Sequence, residues 1–375
     1  MDKKFCIISL MIPLSVGLFL VFILYLYDPF LLYHKPYFRE ETYSSDIRMQ
    51  AKGVIKHYNF DSYILGTSML GNTSAKEAKE KLGGEWVNIS LAGSSLGERA
   101  LVLGYALRKK PVKSVILSLD AIVGVSESES YFAFLYDDNE LNDLKIYFNE
   151  KFIKCALLLS DSGGCKTTIK DTEDLASFGK DERTNKRLGG IQNWFVDYKK
   201  VGQLLDLADA IKTNNFAKLQ RTNAKDISSD KKYLDKFLLT FVRDYPQTNF
   251  YFIVPPYSRL NYNVYRLKKK SMTNSESFYT WSAVLTWLIG ELESYPNAKI
   301  YGFDTLDYAD NIANYSDLIH YNIDMNSMQL DAIRDNTHRL TSGNIEEYLK
   351  TMELKIQEYD VEPLVKIAKE ALGEK

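Results

Sequence analysis

Apolar positions along this chain fall into two regimes, one unbroken and one regularly interrupted. The unbroken run, Phe5 to Tyr27, is 23 residues long, preceded by Lys3-Lys4 and followed by Asp28-Pro29. That length crosses a bilayer as a helix. It is longer than the core of a typical signal peptide and has no small-x-small cleavage site, so the expectation is an uncleaved signal anchor. Tyr25, Tyr27, Phe30, Tyr33 and Tyr37 form an aromatic belt at its outer end. Lys35 and Arg39 nearly balance Lys3, Lys4 and the amino terminus. The orientation expected is a short tail inside, with the rest of the chain outside a cell membrane crossed once.

Beyond a juxtamembrane connector ending near Ser45, short apolar runs alternate with helical sequence. Tyr63 to Leu65, Trp86 to Leu91, Pro111 to Leu119, Asn249 to Val254 and Lys299 to Phe303 read as strands. Ala75 to Lys81 and Glu98 to Arg108 read as helices between them. Strands buried on both faces with helical crossovers make a parallel sheet. The fold expected is therefore a doubly wound α/β three-layer sandwich of flavodoxin-like type. Its domain would span 46–375, with 1–45 as anchor and connector.

A detour of more than a hundred residues, about 122–231, separates the third and fourth strands. Leu141 to Leu159 and Trp194 to Lys212 are helical in pattern, and Asp161 to Arg187 between them is polar. An insertion leaving the carboxyl edge of the sheet is placed to wall a substrate site. Its aromatics, Tyr131, Phe132, Phe134, Tyr136, Trp194, Phe195 and Tyr198, suit either sugar stacking or the insertion's own small core. From Asn326 onward the pattern is helical, over Ser327 to Arg334, Asn344 to Glu358 and Pro363 to Leu372.

Composition narrows the chemistry by exclusion. With 47 basic against 49 acidic residues the net charge is -2, which gives nucleic acid no electrostatic footprint. Three cysteines make no disulfide framework and no zinc pattern. Cys155 and Cys165 are close enough in sequence to pair after export, or to remain free thiols. GxxxxGK, GxGxxG after a strand and HExxH are all absent, and no cofactor or metal is expected. Asp137-Asp-Asn-Glu140 is acidic like a calcium loop but lacks its central glycine and terminal glutamate.

The remaining chemistry gathers at strand ends. Tyr63-Ile-Leu-Gly66-Thr-Ser68 delivers a serine at the carboxyl lip of the first strand, where open α/β sheets bind ligands. A serine nucleophile needs a base, and the base an orienting acid. Asp317-Leu-Ile-His320 supplies both on one face of a helical turn or tight loop. Asp335-Asn-Thr-His338 repeats the spacing but lies in the terminal helical region. His34 and His57 precede the first strand and read as structural.

Taken together, Gly66-Thr67-Ser68-Met69, Gly93 after the second strand and Asp317-x-x-His320 resemble blocks I, II and V of the SGNH/GDSL hydrolase superfamily. The amino-terminal span, Pro255-Pro256-Tyr257 and His320-Tyr321 before a helix resemble its membrane-anchored members, which are linked to alginate acetylation, teichoic acids and cell-surface polysaccharides. The likeness covers about Ser62 to Glu347, interrupted by the insertion. It implies Ser68 as nucleophile, His320 as general base and acid, and Asp317 as its orienter. The backbone N–H groups of Ser68 and Gly93 would form the oxyanion hole. The block III asparagine is replaced by Asp120, and an ionised carboxylate cannot donate to an oxyanion. Asn72 is the side chain that could donate instead, or it could cap the following helix. Tyr257 and Tyr321 would line the substrate site, and a polytopic membrane acyltransferase is the partner the likeness implies.

The function expected is an extracytoplasmic serine enzyme, an O-acyltransferase or esterase that adds or removes an acyl group, acetyl above all, on a surface glycan. Two other classes fit the same residues: a catalytically silent glycan-binding or assembly protein, and a lipase or lysophospholipase. A lipase calls for an apolar channel, and a glycan enzyme for a polar rim with aromatic side chains.

Overall fold

A computed structural model of the protein describes residues 3–120, 122–124, 130–158, 168–176, 182–264 and 275–373, with side chains described from Ser9 onward and not at 182 and 183. Six strands form one sheet: β1 (Ser62–Leu65), β2 (Trp86–Asn88), β3 (Ser114–Ser118), β4 (Asn249–Val254), β5 (Ala298–Gly302) and β6 (Arg339–Leu340). Their order is β2-β1-β3-β4-β5-β6. The first five pair in parallel, and β6 runs antiparallel along β5 with Tyr301 opposite Arg339. The winding reverses between β1 and β3, which opens a crevice at the carboxyl ends of those strands.

Alternation along each strand feeds two cores. Tyr63, Leu65, Val115, Leu117, Phe250, Phe252 and Ile300 face one, while Ile64, Ile116, Ile253 and Tyr301 face the other. The first four helices are α1 (Lys3–Tyr27), α2 (Ile47–His57), α3 (Ala75–Leu82) and α4 (Leu96–Lys109). Helices α2 and α4 cover the first face together with Ser228–Leu234, Ser275–Leu292 and Ile345–Gln357. Helix α3 covers the second with Gly202–Thr213, Ile323–Asp335 and Glu362–Leu372. Burying both faces of a central sheet is what makes the strand sequences apolar throughout.

The sequence pattern missed three boundaries for physical reasons. Strand β2 stops at Asn88 instead of Leu91, although the Ile89 and Leu91 N–H groups still donate to the Ile64 and Gly66 carbonyls; Asn88 turns its side chain to the Leu70 and Thr73 carbonyls. Strand β3 starts at Ser114, past Pro111, which has no N–H to give a ladder. Strand β6 is two residues long, too short to leave an apolar run, and it interrupts the helical carboxyl end.

The stretch expected as a connector is folded into the core. Helix α1 is exposed from Ser9 to Phe19 and half-buried at Leu20, and Ile23, Leu24, Tyr27, Phe30, Leu31, Leu32 and Tyr43 join the first core. The Asp28 carboxylate accepts from the N–H groups of Leu32, Tyr33 and His34 and from the Tyr147 hydroxyl. Gly53 lets α2 approach closely, since a Cβ there would lie 2.2 Å from the Phe30 carbonyl oxygen. The boundary expected near residue 45 therefore falls inside packed structure.

The insertion also divides. Phe132, Tyr136 and Tyr147 pack in the first core, whereas Trp194, Phe195 and Leu207 pack in the second. Tyr131 is exposed, and Phe134 and Tyr198 are half-buried. The expected helix over Leu141 to Leu159 is a 3-10 turn, Asn142–Tyr147, followed by a helix, Glu150–Leu158. The other, Trp194 to Lys212, is two helices, Ile191–Trp194 and Gly202–Thr213. Much of Asp161 to Arg187 lies outside the described residues, as does Cys165; Cys155 is disulfide-bonded.

Candidate active site

Strand β1 ends at Leu65, and the chain then makes successive tight turns. The Leu70, Gly71 and Thr73 N–H groups donate to the Thr67, Ser68 and Leu70 carbonyls before Ser74 caps α3 through the Glu77 N–H at 3.0 Å. Gly66 is required by close approach, since a Cβ would meet the Leu70 side chain at 2.6 Å. Ser68 thus stands half-buried on a strand-to-helix turn at the mouth of the crevice. Clamps fix this turn from several sides. Tyr321 Oη and Asn326 Nδ2 donate to the Met69 carbonyl at 2.7 and 3.1 Å, and Ser90 Oγ accepts from the Gly66 N–H at 2.9 Å.

Asp317 and His320 lie on a tight loop closed by the Tyr315–Tyr321 bridge, not on a helix. Asp317 Oδ1 accepts from the N–H groups of Ile319 and His320, each at 2.9 Å, which folds the loop around the carboxylate. The Pro255-Pro256-Tyr257-Ser258 turn supports it from outside: Ser258 Oγ donates to the Leu318 carbonyl at 2.7 Å, and Tyr315 Oη to the Pro256 carbonyl at 3.3 Å.

These two loops bring the three residues into line. Ser68 Oγ is 2.9 Å from His320 Nε2, and His320 Nδ1 is 2.6 Å from Asp317 Oδ2. With Nδ1–H donated to the carboxylate, Nε2 is left to accept the serine proton. Burial opposes ionisation of Asp317, but the facing imidazole, the hydrogen bond to it and the two backbone N–H donors outweigh burial. The carboxyl is held below its ordinary range. The arrangement can generate a serine nucleophile and return the proton to a leaving group.

The crevice beside Ser68 is a cleft of about 1180 Å³, lined by Thr67, Ser68 and Gly93 at one side and by Tyr257, Trp281, Phe216 and Lys218 farther out. Gly93 adopts φ +66°, which glycine holds without strain. The N–H groups of Ser68 and Gly93 have no acceptor among the described residues. A smaller recess on the other side of Ser68 is lined by Asn72, Thr184, His320, Tyr321 and Asn326. Asn72 does not cap α3, a role Ser74 fills, and its Oδ1 is buried with no partner. Tyr321 reaches this recess, but its hydroxyl is committed to Met69.

Asp120 occupies the end of β3 as a buried structural acceptor. Its carboxylate takes hydrogen bonds from Thr67 Oγ1 and Ser118 Oγ, and Arg99, fully buried on α4, lies 3.5 Å from Oδ1 while Nη2 donates to the Asp120 carbonyl at 3.0 Å. Asp120, paired with Arg99, thus anchors Thr67, the residue before Ser68. Arg99, Thr67, Asn88 and Asn326 are scattered single polar positions without a spacing that marks them, so these clamps leave no pattern along the chain. Only the exchange at Asp120 was visible.

The remaining histidines are elsewhere. His338 is exposed at the β5–β6 edge with its ring 5.4 Å from that of Phe303. His57 ends α2, where burial lowers its pKa. His34 has its ring nitrogens 2.7 and 2.6 Å from the Lys35 and Tyr25 carbonyl oxygens.

A comparison with protein-family models gives no match for this chain, and a comparison with curated proteins gives none either.

Proposed function

We propose that the protein is a membrane-anchored, extracytoplasmic serine enzyme of SGNH type that adds or removes an O-acyl group on a surface glycan. The observation that carries this reading is the Ser68–His320–Asp317 line, with both hydrogen bonds formed at a cleft mouth. In the first half-reaction Ser68 Oγ attacks the donor carbonyl carbon while Nε2 takes the hydroxyl proton. Asp317 stabilises the imidazolium that results. The acyl C–O bond then breaks, Nε2 protonates the departing alkoxide, and acyl-Ser68 remains. In the second, an acceptor hydroxyl gives its proton to Nε2 and attacks the ester, freeing Ser68. Water as acceptor makes an esterase, and a sugar hydroxyl makes a transferase.

The N–H groups of Ser68 and Gly93, without an acceptor among the described residues, favour a backbone oxyanion hole that needs no contribution from Asp120. The cleft carries Phe216, Tyr257 and Trp281 among Lys218, Gln220, Asp226 and Asn261, which supports a glycan, although Leu119, Ile122, Val123, Val254 and Ile319 also line it. Helix α1 is long and apolar enough to cross a membrane, which supports anchoring.

The test is single-turnover hydrolysis of p-nitrophenyl acetate by the full chain in detergent, with and without short oligosaccharides, beside Ser68→Ala. A burst of nitrophenol with acetyl mass on a Ser68 peptide is the expected result. Acetylated sugar then identifies a transferase, and free acetate an esterase. Equal traces for wild type and Ser68→Ala would overturn catalysis and leave a glycan-holding protein.

A further inference from the structure

The depth at which α1 meets the rest of the chain has a consequence for the insertion. Helix α1 covers 25 residues, roughly 37 Å at 1.5 Å per residue, against a hydrocarbon layer of about 30 Å, or about 20 residues. With Lys3-Lys4 at the far interface, the hydrocarbon extends to about Leu24. Yet Leu20 is already half-buried and Ile23 and Leu24 are fully buried by protein. Whatever covers those residues shares their depth.

The covering element is the Glu150–Leu158 helix, which packs on α1, with Cys155 and Ala156 in the same core as Leu24 and Tyr27. Its start is fixed beside Phe30, three residues past the end of α1, where the Phe152 and Phe30 rings meet edge to face at 5.3 Å. Packing against α1 from a start beyond its carboxyl end implies that the helix runs back toward Leu24 and Leu20. Its outward stripe is graded: Glu150, Lys151 and Lys154 come first, and Leu157 and Leu158 last, exposed by 55 and 60 %. Phe148, 51 % exposed, stands just before the helix.

Resting on the reading of α1 as a membrane span, we infer that the Glu150–Leu158 helix is a second membrane contact, its carboxyl end immersed in the leaflet next to the domain. Leu157 and Leu158 enter the acyl chains while Lys151 and Lys154, one to two turns back, stay at the headgroup level, where long basic side chains are favoured. The occupant of this apolar end is lipid, because the surface continues the lipid-facing side of α1. Two contacts at different points fix the tilt of the domain, and with it the height of the Ser68 cleft above the bilayer.

Photolabelling of the full chain tests this. The protein is reconstituted into phosphatidylcholine/phosphatidylglycerol vesicles carrying a trace of phosphatidylcholine with a diazirine near the glycerol end of one acyl chain, then irradiated, digested and analysed by mass spectrometry. Adducts on Leu157 and Leu158 should exceed those on Val196, a 79 % exposed residue beside the opposite core, by about tenfold or more, the preference that burying one leucine supplies. Labelling of α1 with Leu157 and Leu158 at the Val196 level would overturn the second contact and leave the span standing. Absence of labelling on both α1 and 148–158 would overturn the span as well.

Discussion

In the proposed reaction Ser68, His320 and Asp317 divide the work by what each atom faces. Asp317 has both oxygens committed, one to the imidazole and one to two backbone N–H groups, so its charge orients the base and also holds the loop. Asp317→Asn should keep the fold and lower kcat/KM by roughly 10³- to 10⁴-fold, since the amide can favour the wrong tautomer. Steady-state ester hydrolysis checks it. His338→Ala, at an exposed edge on another loop, should leave the rate within twofold, roughly what an exposed side chain off the site contributes. The folded pKa of Asp317 lies below its unfolded value, so its contribution to stability is full above about pH 4 to 5 and is lost as pH falls through the folded value. The Tm difference between wild type and Asp317→Asn should accordingly narrow only on acidification below about pH 4. A gap that instead closes between pH 8 and 6 would contradict the depressed carboxyl. At this scale the triad was legible because Asp317 and His320 are near in sequence; Asp120 was legible only as an anomaly, because Arg99 and Thr67 reach it through space.

Among the elements, α2 carries the strain of attachment. Lys52 and Asp143 form an ion pair with both side chains fully buried, and burial still pushes the Asp143 carboxyl up to about 6. The pair ties α2 to the Asn142–Tyr147 turn of the insertion. Lys52→Met alone should destabilise by about 3–5 kcal/mol, because it leaves a carboxyl buried without its cation. The double change Lys52→Met with Asp143→Leu should recover most of that loss, since burying two charges offsets much of their attraction. Thermal unfolding of the three proteins decides it, and equal losses in single and double variants would mean that packing, not charge, is what Lys52 supplies. Helix α4 starts at Leu96, two residues before the expected Glu98, because Ser95 and Glu98 form a reciprocal capping box there.

For the whole molecule, the main consequence is that the end of α1, the segment after it and the sheet domain are one packed body. Removing residues 1–45 would strip Leu24, Tyr27, Phe30, Leu31 and Leu32 from the first core and uncover α2 around Gly53. Such a truncation should aggregate or melt well below the full chain in the same detergent, by 10 °C or more, roughly the effect of losing a few kcal/mol from a domain of this size. Cutting before Ser9 should be far milder, because the described part of α1 as far as Phe19 makes no core contact. Differential scanning of both truncations separates these outcomes. Equal melting of the 46–375 piece and the full chain would show the connector to be dispensable.

By itself the sequence determined what depends on neighbours along the chain. Periodicity set the parallel strands and their helices, the long apolar run set α1, and short spacings put Ser68 on a turn and Asp317 within reach of His320. Tertiary structure decided what depends on distant segments meeting. It brought Ser68 within 2.9 Å of His320 across 252 positions, buried Arg99 against Asp120, and folded 28–34 into the core through Asp28 and Tyr147. It also sent the two halves of the insertion to opposite faces of the sheet. Such contacts form because buried polar groups require partners and apolar faces require cover. Which residue supplies each is a matter of topology, and a one-dimensional pattern does not encode it.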